Sequence, residues 1–345
     1  MDNTNIIVPP TIEAGGPMQI EPQIERVAEL WFDDANVVFQ AENKLFRVHR
    51  TILACQSPVF KDMFEILQPP RDLVQPSTIF EGCDFIQLVG DEAESVGYFF
   101  KAIYDASFFE PPPSRTELNI VLAIASLSHK YDVQFLRRRA LEHLSTAYPT
   151  TLLLWDSRNK RNAAGIQTMT FVTAPLTIDA NLQLIEVLNQ IGATWMLPAA
   201  YYELCSQPLS EIMVNPKWCA LDGTELQMAC LLAWAKLVQV PGTSLQGFMV
   251  LADGLCEPCQ EEAQTTLKTA LDSQILDDFI DPLSFAEPTF EYCDGYCSPC
   301  ADILNEKATE MREMFWRTLP LRCGLVGWPK LNNQKALVES ELRAA

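Results

Sequence analysis

The residues best suited to chemistry in this sequence are four cysteines in two matched pairs. Cys256-Glu-Pro-Cys259 and Cys297-Ser-Pro-Cys300 share the pattern Cys-x-Pro-Cys. Each pair immediately precedes a stretch with helical patterning. Proline suits the first turn of a helix, where its missing N–H is not needed. Cys293 stands four residues before the second pair as a fifth candidate. Four thiolates suit tetrahedral Zn2+, so Cys256, Cys259, Cys297 and Cys300 read as ligands of a structural zinc that staples two helix starts together. The span between the pairs is longer than in a compact zinc ribbon. The same four also read as metal-free thiols packed between helices, because free cysteine is often buried.

A third reading is redox chemistry. The apolar run and short loop before Cys256 resemble the approach to a thioredoxin-like dithiol, and a helix N-terminus lowers a thiol pKa. The sequence that follows, however, reads as helices without a βαβ pattern, and a doubled motif suits a shared ligand site better than a thiol-disulfide oxidoreductase. His49 and His129 have no nearby nucleophile and oriented carboxylate that would make a triad, so each reads as a hydrogen-bonded structural histidine. Asp33, Asp34 and Asn36 fit turn and strand-start geometry. No catalytic residue is expected, and the chain reads as a protein that is not an enzyme.

The elements that position these residues follow from the apolar periods. Residues 1–22 carry Pro9, Pro10, Gly15, Gly16, Pro17 and Pro22 with little periodicity, which predicts a disordered leader. A short helix is expected at Ile24–Leu30. Val37 and Phe39, then Phe46 and Val48, alternate at period two about a polar tip and predict a β-hairpin. Ser57-Pro58 is a helix start, since Ser caps free N–H groups and Pro fits the first position. Val59, Phe60, Met63, Phe64 and Leu67 then form an apolar stripe. Residues 68–82 read as a Pro-rich loop and Phe85–Val89 as a third strand. Asp91 with Glu94, and Ser114 with Glu117, have capping-box spacing. Helices follow with Val96, Phe99, Phe100, Ile103 and Tyr104 on one face, then Leu118–Leu127, then a helix capped by Asp132.

Beyond Pro149 the strand signals fade. Residues 156–175 read as a loop, and helices are expected at Leu182–Ile191, Pro198–Cys205, Gly223–Val240, Gln260–Phe279 and Ala301–Thr318. In the last, Leu304, Ala308, Met311 and Phe315 face inward. This divides the chain into a leader at 1–22, an α/β domain at 23–147, a linker at 148–176 and a helical region at 177–345. No fixed-period repeat supports a solenoid.

Composition narrows the function. A net charge of −20 disfavours nucleic-acid binding and an anionic membrane surface. The one basic run, Arg137-Arg138-Arg139, reads as a solvated helix face. No signal-peptide pattern opens the sequence, and the most apolar windows are too short to span a bilayer. The expected location is intracellular, cytoplasmic or nuclear, where the eleven cysteines are thiols or metal ligands rather than disulfides.

Three segments carry a resemblance. "LWFDDANVVFQAENKLFRVHRTILACQSPVFKDMF", "IQLVGDEAESVGYFFKAIYDASF" and "LAIASLSHKYDVQFLRRRALEHL" occur in the order of the BTB/POZ family signature. The match covers about a third of the chain. "LPLRCGLVGWPKL", after "MREMFWRTL", is similar to the tail of a large fungal group of BTB proteins. The resemblance implies an α/β BTB/POZ domain, a small sheet with helical pairs, followed by a mainly α-helical C-terminal region. It implies protein partners, self-association as a homodimer, and a helical groove open to partners such as cullin-type ubiquitin ligase scaffolds. Phe60, Met63 and Phe64 match the part of that fold that contributes to cullin docking; read from their spacing alone, they are core. Within this class the chain is a ligase substrate adaptor, a non-catalytic scaffold or a transcription-associated factor.

Overall fold

The computed structural model describes residues 24–66, 79–158, 170, 176–250, 254–272, 283 and 295–344; at 66, 238–250 and 266–272 it describes the backbone alone. The leader at 1–22, most of the loop at 68–82, most of the loop at 156–175, and Cys293 lie outside these residues.

Strands β1 (Glu25–Trp31), β2 (Val37–Ala41), β3 (Lys44–Val48), β4 (Ile79–Phe80) and β5 (Cys83–Gln87) form one mixed sheet in the order β1-β3-β2-β5-β4. The β2–β3 hairpin has the register Val37↔Val48 and Phe39↔Phe46. Its apolar alternation buries Val37, Phe39, Phe46 and Val48 together, as the period-two pattern requires. Glu42 takes the left-handed conformation at the tip (φ 48). The short helix expected at Ile24–Leu30 is instead strand β1, parallel to β3 with Glu25↔Lys44 and Arg26↔Leu45 in register. Pairing with an open sheet edge overrides a weak local helical preference.

Helices α1 (Arg50–Gln56), α2 (Pro58–Ile66), α3 (Ala93–Tyr104), α4 (Leu118–Lys130) and α5 (Gln134–Ala147) pack against the sheet and one another. Ser57 caps α2 as expected, its Oγ accepting the Phe60 N–H at 3.0 Å while donating to the Tyr131 carbonyl. The two capping boxes do not form. Asp91 turns away to accept from Lys130 Nζ (2.6 Å) and Tyr131 OH, and Glu42 takes the Ala93 N–H at 3.0 Å. Ser114 Oγ donates to Glu110 instead of capping α4. Asp91 is drawn off by partners about forty residues away, and Ser114 by a carboxylate four residues before it. Arg137 and Arg139 are half-buried rather than solvated, and Arg139 Nη1 donates to the Phe109 carbonyl at 2.9 Å.

The C-terminal region is helical among its described residues. It comprises α6 (Leu152–Ser157), α7 (Ile178–Gln190), α8 (Leu197–Cys205), α9 (Leu209–Val214), α10 (Pro216–Ala220), α11 (Glu225–Val250), α12 (Glu257–Asp272), α13 (Ser298–Arg322) and α14 (Trp328–Ala344). Helix α8 is buried almost all round, which makes it the centre of this region. The two regions share one hydrophobic core. At their junction Trp316 Nε1 donates to the Thr150 carbonyl (3.4 Å), Arg312 pairs with Asp156 (2.5 Å), and Tyr148 OH donates to Glu203 (2.9 Å). Trp155, Trp316 and Trp328 pack in series, the first pair tilted with ring centroids 5.5 Å apart and the second stacked at 5.3 Å. No helix among the described residues is long and apolar enough to cross a membrane.

Candidate functional site

Two places merit a functional reading: the exposed face of the α/β domain, and the paired cysteines. In the first, α2 turns Phe60 and Phe64 inward. Phe60 is fully buried and stacks on Tyr131 at 4.6 Å, with Phe39 edge-on at 5.6 Å. Phe64 is buried under the Arg50 guanidinium, 4.9 Å from its ring centroid. Met63 is half-buried, while Lys61, Asp62 and Glu65 are exposed. Of the three residues singled out in this helix, only Met63 keeps surface for a partner.

His49 and His129 sit in structural surroundings. The His49 ring lies 3.2 Å from Asp34 and 3.2 Å from Tyr104 OH, and the His49 backbone N–H donates to the same hydroxyl at 2.7 Å. Asn36 Oδ1 accepts the Arg50 N–H at 3.0 Å and so caps α1. Burial, reinforced by Arg137, holds the His129 pKa below its ordinary value. The third histidine, His143, is buried with one ring nitrogen 2.7 Å from Thr170 Oγ1 and the other 2.8 Å from the Glu110 carbonyl. Burial lowers its pKa too. A cavity of about 390 Å³ lies between α5 and α14, where Arg138, Lys335 and Arg343 face Glu142 and Glu339. The mixed charges leave no convergent set for one ligand.

The second place is built by two copies of one local structure. Gly254-Leu-Cys256-Glu-Pro-Cys259 leads into α12, and Gly295-Tyr-Cys297-Ser-Pro-Cys300 leads into α13. The two glycines have φ of +103° and +105°, which side-chain-bearing residues rarely adopt. In each copy the first cysteine is exposed and the second buried. The first cysteine's carbonyl accepts the opening helical N–H, Gln260 to Cys256 at 3.0 Å and Ala301 to Cys297 at 2.9 Å. The copies also cross-bond. The Cys256 N–H donates to Cys300 Sγ (3.3 Å), and the Cys297 N–H donates to Cys259 Sγ (3.4 Å). A Cβ on Gly254 would meet Ile303 at 3.6 Å, and one on Gly295 would meet Glu262 at 3.5 Å. Each contact residue lies three places after the second cysteine of the opposite copy, so the halves are related by a local two-fold.

The four Sγ atoms lie within 4.8 Å of one another. Three of the separations are 3.8 Å (Cys256–Cys297), 3.7 Å (Cys259–Cys297) and 3.6 Å (Cys256–Cys300). Zn–S bonds of about 2.3 Å in a tetrahedron place sulfurs about 3.8 Å apart. A disulfide requires about 2.05 Å, so the spacing fits a metal cage and not a bonded pair. Two helix N-termini, each with about half a positive charge, converge on the four sulfurs and suit an anionic cluster. The Cys259 N–H and neighbouring thiols lower the Cys256 pKa to about 7. The Cys300 thiol receives the Cys256 N–H, which favours its thiolate, but burial and the adjacent sulfurs prevail and push it up to about 12.

Spacing had brought the four cysteines together as one candidate set, and they are adjacent in space. What that reading missed is the longer repeat, Asp-Gly-x-Cys-x-Pro-Cys at 253–259 and 294–300, whose glycine signals the turn that each half requires. A separate group of thiols, Cys205, Cys230 and Cys323, is buried near Tyr201; burial pushes Cys230 and Cys323 up to about 12. These three are inert core thiols.

Compared with known proteins, residues 29–147 match the family model of the BTB/POZ domain. No curated protein and no solved structure shows a significant match to the chain.

Proposed function

We propose that this chain, whose residues 29–147 form a BTB/POZ domain, acts without catalysis by pairing with a second copy and docking a further protein partner. A BTB/POZ domain is an interaction module, so protein binding is the coarse assignment. The observation that supports self-pairing is β1. It closes one edge of the sheet, and Glu25, Arg26, Ala28 and Glu29 along it are exposed. An edge strand offers unpaired backbone groups to another chain. The test is molar mass in solution by light scattering. A dimer is expected, converting to a folded monomer in Ala28→Pro; a wild-type monomer at micromolar concentration rejects the reading.

Docking to a cullin-type ligase scaffold is the partner class that the domain and Met63 on α2 support. Because Phe60 and Phe64 are core, Met63→Asp is the informative variant. Cullin co-purification that falls with Met63→Asp favours the adaptor reading. Its absence from the wild-type sample leaves the scaffold or transcription-associated reading.

The cysteine cluster supports a structural zinc, held by Cys256, Cys259, Cys297 and Cys300, more than a redox enzyme. The sulfur spacing matches a tetrathiolate, and all four sulfurs belong to one closed set. Elemental analysis is expected to give about one zinc per chain. Metal-free folded protein overturns this reading, and insulin-reductase activity that depends on Cys256 would revive the oxidoreductase.

A further inference from the structure

We propose that the zinc site is also a site of oxidative modification, in which peroxide joins Cys297 to Cys256 and thereby releases the metal. The inference rests on the zinc reading above.

The two-fold arrangement is not equal in its accessibility. Cys256 and Cys297 are exposed and 3.8 Å apart, whereas Cys259 and Cys300 are buried. An oxidant arriving from solvent therefore meets the first cysteine of each half. The buried Cys259 and Cys300 sulfurs also accept N–H groups from the opposite turn. Hydrogen bonds withdraw electron density from a thiolate, so burial and these donors both direct the oxidant away from Cys259 and Cys300. The exposed pair, Cys256 and Cys297, is therefore the pair that reacts: one sulfur is oxidised and the other resolves the product.

The chemistry balances with peroxide as the sole oxidant. One of the two exposed Sγ atoms attacks one peroxide oxygen, the O–O bond breaks, and a sulfenic acid forms with loss of hydroxide. The other exposed Sγ then attacks that sulfur, forming the S–S bond and expelling a second hydroxide. Two electrons pass from the two thiolates to the peroxide, and Zn2+ is not reduced. Both sulfurs leave the metal, and the two remaining thiolates do not complete the four-coordinate set of a structural site. The starts of α12 and α13 then lose the tie that holds them together. A thiol reductant with zinc reverses each step.

The test uses the full chain, purified with its metal and freed of reductant. Peroxide is added in stoichiometric amount, zinc is followed with a colorimetric chelator, and disulfides and sulfenic acids are mapped by mass spectrometry with a dimedone-type trap. Release of about one zinc per chain, trapping at Cys256 or Cys297 ahead of Cys259 and Cys300, and a Cys256–Cys297 disulfide are expected. Limited proteolysis between α12 and α13 should rise in parallel, and dithiothreitol with zinc should restore resistance. A protein purified without zinc overturns the metal reading itself. A zinc-loaded protein that keeps its metal while Cys55 or Cys219 oxidises overturns only the switch. So does a disulfide that maps to Cys259–Cys300. The trap reads out on the wild-type chain, so the result does not depend on a ligand variant that fails to fold.

Discussion

The BTB/POZ domain and the α12–α13 segment are held together by different physics. In the domain, aromatic rings do the packing: Phe39, Phe46, Phe60, Phe99 and Phe100 are all essentially without solvent exposure. Around the cysteines the burial is thin. Ala263 and Leu304 are buried beside Cys259 and Cys300, but most of the described first turns of α12 are exposed. A small apolar patch offsets little chain entropy, so a cross-link is the natural remedy. The difference teaches that the BTB/POZ domain rests on a buried aromatic core, whereas the cysteine turns bury little around them, which is where the zinc proposed above would contribute most.

The largest effect that would break this contrast is in the domain core. Phe60→Ala is expected to cost about 3–5 kcal/mol, read as a drop in the denaturant midpoint, and Phe60→Asp more. A mild effect would mean that the core relaxes around the site. Next is metal removal. Chelation is expected to cost the α12–α13 segment about 4 kcal/mol by the entropy of a loop of this length. Hydrogen exchange should show protection lost at 256–272 and 298–312 and retained in β2, β3 and α4. Loss everywhere would erase the distinction between the regions. Gly295→Ala is smaller, about 1–3 kcal/mol for a strained left-handed residue. It should weaken zinc retention against a chelator while leaving the domain's thermal transition in place.

The smallest effect is in pH. His143, which is buried, and His129, which is half-buried, have lowered pKa values in the folded chain because desolvation disfavours their charged forms. The unfolded chain therefore binds protons first. The stability they confer is complete above about pH 6.5 and is lost as pH falls through that value towards the lowered folded one. Urea midpoints measured from pH 7.5 to 5 should fall, and His143→Gln should flatten part of the slope. An unchanged slope would remove His143 from the account.

Much of this architecture is legible in residue order, where the determinants are local. The hairpin follows from alternation in Val37–Val48, the α2 start from Ser57-Pro58, and the end of α7 from Gly192, which takes φ of +71°. What escapes is decided at a distance. Strand β1 exists because β3 offers an edge, and Asp91 forgoes its helix for Lys130 and Tyr131. Helix α14 is hard to see because only Trp328, Leu331 and Leu342 of its seventeen residues are buried. The candidate metal ligands were legible because type and spacing repeat. The inward turn of Phe60 and Phe64 on α2 was not separable from a partner-facing one, since one stripe serves either purpose until the neighbouring rings are placed.

The crossed N–H···S bonds between the two cysteine turns carry a consequence for synthesis. Neither turn completes its own hydrogen bonding: each borrows a donor from a partner 38 or 44 positions away. During translation the first turn leaves the ribosome before the second, and its crossed bonds can close only once Cys300 has been added. If the four sulfurs take the zinc proposed above, a chain that stops before Cys300 would lack one ligand and one of the two crossed bonds.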